Sequence, residues 1–199
     1  MNDNDITRED VRGRSEVDRL RAADLDSALK VARAIKHPWY RCQATTSVAE
    51  SCTSQSESHR LLLEALSAAY ELTEPNRIVS VASWPLRLLI QSDPDGSIPI
   101  IEKLLLVISQ ESHSLRRLDG IASMFYRVAQ NATARNLIKP ALTQAANEAK
   151  GWRTERIVAS LATFCHPIDP GFAMELLSNR QPSQHLRQAL KQINSKDMA

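Results

Sequence analysis

The sequence predicts an all-α fold, a right-handed α-α solenoid of four to five helical hairpins, and three observations carry that expectation. Apolar residues recur at helical spacing from residue 24 onward, and no stretch alternates apolar and polar residues long enough to make a strand. Prolines fall at the breaks between helical periods, at Pro38, Pro75, Pro99, Pro170 and Pro182, where a missing N–H costs nothing. Third, the chain repeats itself. "RCQATTSVA" from Arg41, "RIVSVASWP" from Arg77, "RLDGIASMF" from Arg117 and "RIVASLATF" from Arg156 start 36, 40 and 39 residues apart. Three positions after each arginine stands Ala44, Ser80, Gly120 or Ala159, a slim spot where another helix can approach closely.

The elements follow in order. Residues 1–14, "MNDNDITREDVRGR", have almost nothing to bury and are expected as a flexible polar N-terminal segment. A single helical-repeat domain is expected over 15–195, with 196–199 as a C-terminal tail. Its first pair places "LDSALKVARAI" in a helix over 24–35 and starts a second helix, 38–52, on Pro38. The next pair spans 57–72 and 75–91, with Thr73 as a cap before Pro75 and with Pro85 expected to kink or split the second helix. "SDPDGS" (92–97) reads as a turn, after which Ser97 caps a helix over 98–109 that pairs with 113–130. Helices over 133–149, started or bent by Pro140, and 152–165 make the fourth pair. A shorter fifth pair, 170–178 and 183–194, carries Arg187 in the place of the recurring arginine. No single hairpin buries its apolar stripe alone, so neighbours must stack.

The stretch "ADLDSALKVARAIKHPWYRCQATTSVAES" resembles the helix-pair repeats, intermediate between TPR and HEAT types, found in bacterial scaffolding and signalling proteins. In those repeats an Ala and an Ile close the first helix and an Arg opens the second. The resemblance spans roughly residues 24–195, although the TPR signature of a Trp, a Leu-Gly and a Tyr at fixed offsets is missing. It implies a TPR/HEAT-like superhelix that binds another protein or a peptide in its groove, without a small-molecule cofactor.

"HPWYRCQ" (37–43) gathers a base, two rings, a cation and a thiol. "GWRTER" (151–156) sets Trp152 and Arg156 in nearly the same place of another unit, and a set that recurs is expected as a joint between helices. Trp39, Arg41, Arg117, Trp152 and Arg156 are the candidate binding residues of a non-enzymatic adaptor that takes a peptide or partner helix. The recurring arginine has two readings. A cation in a first turn opposes the helix dipole, but it lies beside the carbonyl end of the preceding helix and caps it. Alternatively the arginines form a ladder that binds an acidic peptide or phosphates.

A nucleic-acid-binding HEAT-like protein, using the same arginines with Arg187 and Lys191, is the alternative function. The net charge of +2, with Glu155, Asp169 and Glu175 interspersed, falls short of a strongly basic footprint. Cys42, Cys52 and Cys165 form no CxxC, and the adjacent Cys165 and His166 diverge by about 100° on a helix, so the cysteines are expected to be structural. Without HxxxH, HExxH or a phosphate-cradling glycine motif, neither a metal nor a nucleotide is expected. The absence of a signal peptide, of a long apolar run and of a lipidation motif, together with reduced cysteines, leads to the expectation of a cytoplasmic protein with no membrane partner.

Overall fold

The computed structural model describes residues 5–178, 180 and 183–197, and among these it shows eleven helices and no strand. They are α1 (Arg8–Leu20), α2 (Leu25–Ala34), α3 (Pro38–Ser51), α4 (Gln55–Ala69), α5 (Pro75–Ser92) and α6 (Pro94–Ser109), then α7 (Ser114–Val128), α8 (Ala132–Glu148), α9 (Trp152–Cys165), α10 (Pro170–Ser178) and α11 (Gln184–Asp197). Ten of these match the helices expected from periodicity, with shifted ends. Pro182, expected at a helix start, lies outside the described residues, as do residues 198 and 199 of the expected tail.

The first correction is α1. The segment expected to be flexible contains a helix from Arg8, started by a capping box in which the Thr7 hydroxyl accepts the Asp10 N–H and Asp10 accepts the Thr7 N–H. Asp10 is also buried, and its Oδ1 accepts the His37 N–H at 2.9 Å, which ties α1 to the start of α3. Burial raises this carboxyl, but the Thr7 hydroxyl and the His37 and Thr7 N–H groups outweigh it and hold Asp10 below the usual carboxylate range.

The second correction is the start of α6. Pro94 takes the first helical position and Asp93 accepts the Gly96 N–H at 3.0 Å, so "DPDG" is a cap rather than a turn and the helix begins four residues earlier than expected. Ser97 is therefore inside the helix, and its hydroxyl donates to the Asp93 carbonyl at 2.7 Å. Thr73 is likewise not the cap of α5; that helix starts after Glu74 with no side-chain cap bond.

The third is Pro85, which neither splits nor ends α5. Proline removes the N–H that would bond the carbonyl four residues back, that of Val81. Cys42 of α3 supplies a substitute donor, its Sγ lying 3.6 Å from the Val81 oxygen. Burial pushes the Cys42 thiol up, which keeps its proton in place for that bond.

The odd-numbered helices pack on one another in sequence, α1 on α3, α3 on α5, α5 on α7, α7 on α9 and α9 on α11. The even-numbered helices flank them, and among these the substantial mutual contact is α6 against α8. One continuous apolar core runs from Val17 to Ile193. Small residues set its spacing: Ala44, Gly120 and Ala159 are buried where neighbouring helices meet.

Candidate functional site

The first turns of the odd-numbered helices lie beside the carbonyl ends of their even-numbered neighbours. Arg41 Nη1 donates to the carbonyls of Ile35 (3.0 Å) and Lys36 (2.9 Å) at the end of α2, and its Nη2 pairs with Glu71 just beyond α4. That is the capping arrangement. Arg117 instead pairs with Glu148 at the end of α8 (2.7 Å), and Arg77 with Glu74 (3.1 Å). Arginines outside the repeat pattern also cap, since Arg135 donates to the Ala129 carbonyl (2.7 Å) and Arg180 to that of Ala146.

Arg156 differs. Among the described residues no carboxylate pairs with it; its guanidinium lies 5.5 Å from the centroid of the Trp152 ring, with Arg153 at 5.3 Å from the same ring. Trp152 is 58% exposed, whereas Trp39 is half-buried against the core beside Tyr40. The five candidate residues therefore divide. Trp39, Arg41 and Arg117 are engaged within the fold; Trp152 and Arg156 face solvent together. Arg187 and Lys191 are exposed on α11.

This division predicts a contrast in stability. Arg41→Gln loses two bonds to helix-end carbonyls and is expected to cost about 1–2 kcal/mol. At roughly 2–4 °C per kcal/mol for a chain of this size, thermal denaturation should show a fall of several degrees. Arg156→Gln should leave the melting temperature within about 1 °C, as expected of an exposed substitution.

All three cysteine thiols are raised above their ordinary range, Cys52 by partial burial with Glu57 adding to it. Burial pushes Cys165 up to about 12, with Asp169 adding to the effect, and Cys42 is raised as described above. Among the described residues no group of three or more His, Cys, Asp or Glu side chains is placed to hold a metal ion.

Between α7, α9 and α11 runs a groove of about 440 Å³, lined by Tyr126, Arg156, Ala159, Ser160, Thr163, Phe164, His185, Gln188, Ala189 and Gln192. Tyr126 and Phe164 meet edge to face across it, centroids 5.0 Å apart at 77°. Burial pushes the Tyr126 hydroxyl up to about 12, with Ser160 pulling the other way and the nearby Cys165 and Asp119 adding to the rise. Asp119, one helical face along α7, is itself raised by desolvation.

Adjoining the groove is a second constellation. Trp84 of α5 lies under the Arg127 guanidinium of α7 at 4.2 Å, and Arg14 of α1 stands 5.8 Å from the same ring. Arg87 of α5 and Arg21 of α1 share Glu50 of α3, at 2.7 and 3.3 Å. The sequence reading singles out Arg156 of this surface but not Trp84, Tyr126 or Arg127. The available signal was compositional: aromatics are only 5% of the chain, and Trp84, Phe125, Tyr126, Trp152 and Phe164 all fall on α5, α7 and α9. Comparison of the chain with protein-family models, with curated proteins and with solved structures found no match.

Proposed function

We propose that the chain is a TPR/HEAT-like, right-handed α-α solenoid acting as a non-enzymatic adaptor, which takes a peptide or a partner helix on the face of its odd-numbered helices. The observation that carries this reading is the groove between α7, α9 and α11, which sets the touching rings of Tyr126 and Phe164 among polar side chains and one cation, Arg156. Its volume and its pairing of two aromatic rings with hydrogen-bonding side chains suit an anchoring side chain and the backbone of a peptide.

The packing supports the solenoid. Odd-numbered helices touch along the whole array while even-numbered ones touch substantially only at α6 and α8, so the two layers differ in spacing and the array bends toward the odd side. The reach of Arg14 from α1 past α3 to Trp84 on α5 accords with that bend. Nucleic acid is less well supported, because carboxylates already neutralise much of the arginine row, as in Arg41–Glu71, Arg77–Glu74 and Arg117–Glu148. Three free cysteines suit a reducing, cytoplasmic setting, and no described helix is long and apolar enough to cross a membrane.

Selection from a phage-displayed library of random peptides of about twelve residues tests the reading. Sequences with an aromatic or aliphatic anchor should be recovered. Ser160→Arg, which fills the groove from an exposed position, should weaken them by about tenfold or more at unchanged circular dichroism. A selection that recovers nothing sensitive to Ser160→Arg overturns the reading.

A further inference from the structure

Resting on that reading, we infer that Arg127, Arg14 and Trp84 form a receptor for a carboxylate side chain of the peptide seated in the neighbouring groove. The two sites share α7: Tyr126 turns toward Phe164 of α9, and the next residue, about 100° around the helix, turns toward Trp84 of α5. A peptide lying across the odd-numbered helices meets both.

Donors outnumber acceptors at this site. Arg127 is half-buried, yet among the described residues no carboxylate pairs with it and no acceptor takes its N–H groups. Its guanidinium is destabilised first by desolvation and then by the like charge of Arg87, with no anion to offset either. Arg14 pairs with Asp18 through Nη1, which leaves its Nε buried without a partner. Arg14 and Arg127 stand at Trp84 and are linked to Arg21 and Arg87 through shared carboxylates and like charge, which makes four guanidinium groups against two carboxylates, on Asp18 and Glu50.

Those two carboxylates are occupied, Glu50 by Arg87 and Arg21 and Asp18 by Arg14 and Arg21. The fork of Arg127 is left without an acceptor beside the ring, and the Arg14 guanidinium carbon adds positive charge 5.8 Å from the same centroid. A planar carboxylate matches the edge of the guanidinium fork, which the Trp84 face holds in place from behind. The excess positive charge is local and bordered by Asp18 and Glu50, so a phosphodiester chain would meet repulsion within a few nucleotides whereas one acidic side chain would not.

The peptide selection, run in parallel on the wild type and on Arg127→Gln, tests the inference. Wild-type binders should carry Asp or Glu at a fixed offset from the apolar anchor, and Arg127→Gln binders should lack it. Changing that acid to its amide should weaken binding to the wild type by about tenfold and leave binding to Arg127→Gln unchanged. Equal losses on both proteins, or no acidic preference, overturn the carboxylate site; the groove reading survives that result if Ser160→Arg still weakens the binders, and both fall if no binder is recovered. Displacement of the peptide by labelled oligothymidylate with a steep salt dependence also overturns it, in favour of nucleic acid. Arg127→Met keeps the stem on Trp84 and should fold with an unchanged or raised melting temperature. A lowered one with acidic preference retained makes Arg127 structural and overturns the inference.

Discussion

Phe125→Ala is expected to cost about 3–5 kcal/mol and to divide the unfolding transition in two. Phe125 is fully buried on α7, and its ring meets Phe164 of α9 at 6.4 Å and Phe172 of α10 at 5.8 Å. Helix packing joins α9–α11 to the rest of the chain through α7 against α9. From α8, Arg135 and Lys139 add ion pairs to Asp169, just before α10. Those pairs are worth little near the surface, so the aromatic contact dominates the joint.

A loss of that size is a large fraction of the roughly 5–15 kcal/mol that holds a typical domain folded. On the proposed solenoid reading the loss does not spread evenly, because each unit of such an array is held only by its neighbours. Urea titrations should show it. Trp152 on α9 should report a lowered midpoint, and Trp39 on α3 and Trp84 on α5 one close to that of the wild type, each read in a variant retaining that tryptophan alone. Coincident shifts at all three would show that the helices unfold as one body, and a loss below about 1 kcal/mol would show that α9 and α10 collapse into the cavity.

How much of this was legible in the sequence depends on whether the cause was local. Helices α2 to α11 follow from periodicity and proline placement, both local. Helix α1 was equally local in its start, since Thr7-Arg8-Glu9-Asp10 is a capping-box string; what hid it was its buried face, which uses Asp10 as well as Val17. A polarity pattern assigns an aspartate to solvent and cannot foresee the His37 N–H that it accepts. The same holds for Pro85, whose local effect is cancelled by Cys42 from another helix. Arg41 caps α2 as its position suggested, because the partner carbonyls are only a few residues away. Trp84, Arg14 and Arg127 come together through the packing of α1, α5 and α7, and no spacing along the chain announces that.

Gly120→Leu is expected to lower stability by about 3 kcal/mol, while Gly120→Ala stays within about 1 kcal/mol of the wild type. A Cβ at Gly120 would stand 2.8 Å from Ile108 Cδ1 and 3.3 and 3.4 Å from the Asn76 Cα and carbonyl oxygen. The tip of Ile108 can rotate away; the Asn76 backbone, in the first turn of α5, moves only with its helix. Alanine therefore meets moderate strain, which its better helix propensity offsets by about 1 kcal/mol. Leucine adds three more carbons beyond a Cβ that already meets the Asn76 backbone, and α5 must draw back from α7. The Trp84–Arg127 stack crosses the same joint, so Gly120→Leu should also shift Trp84 emission to the red in folded protein. Unchanged stability and emission would mean that α5 and α7 are not held at this distance by their backbones, and the slim position in each repeat would lose its physical meaning.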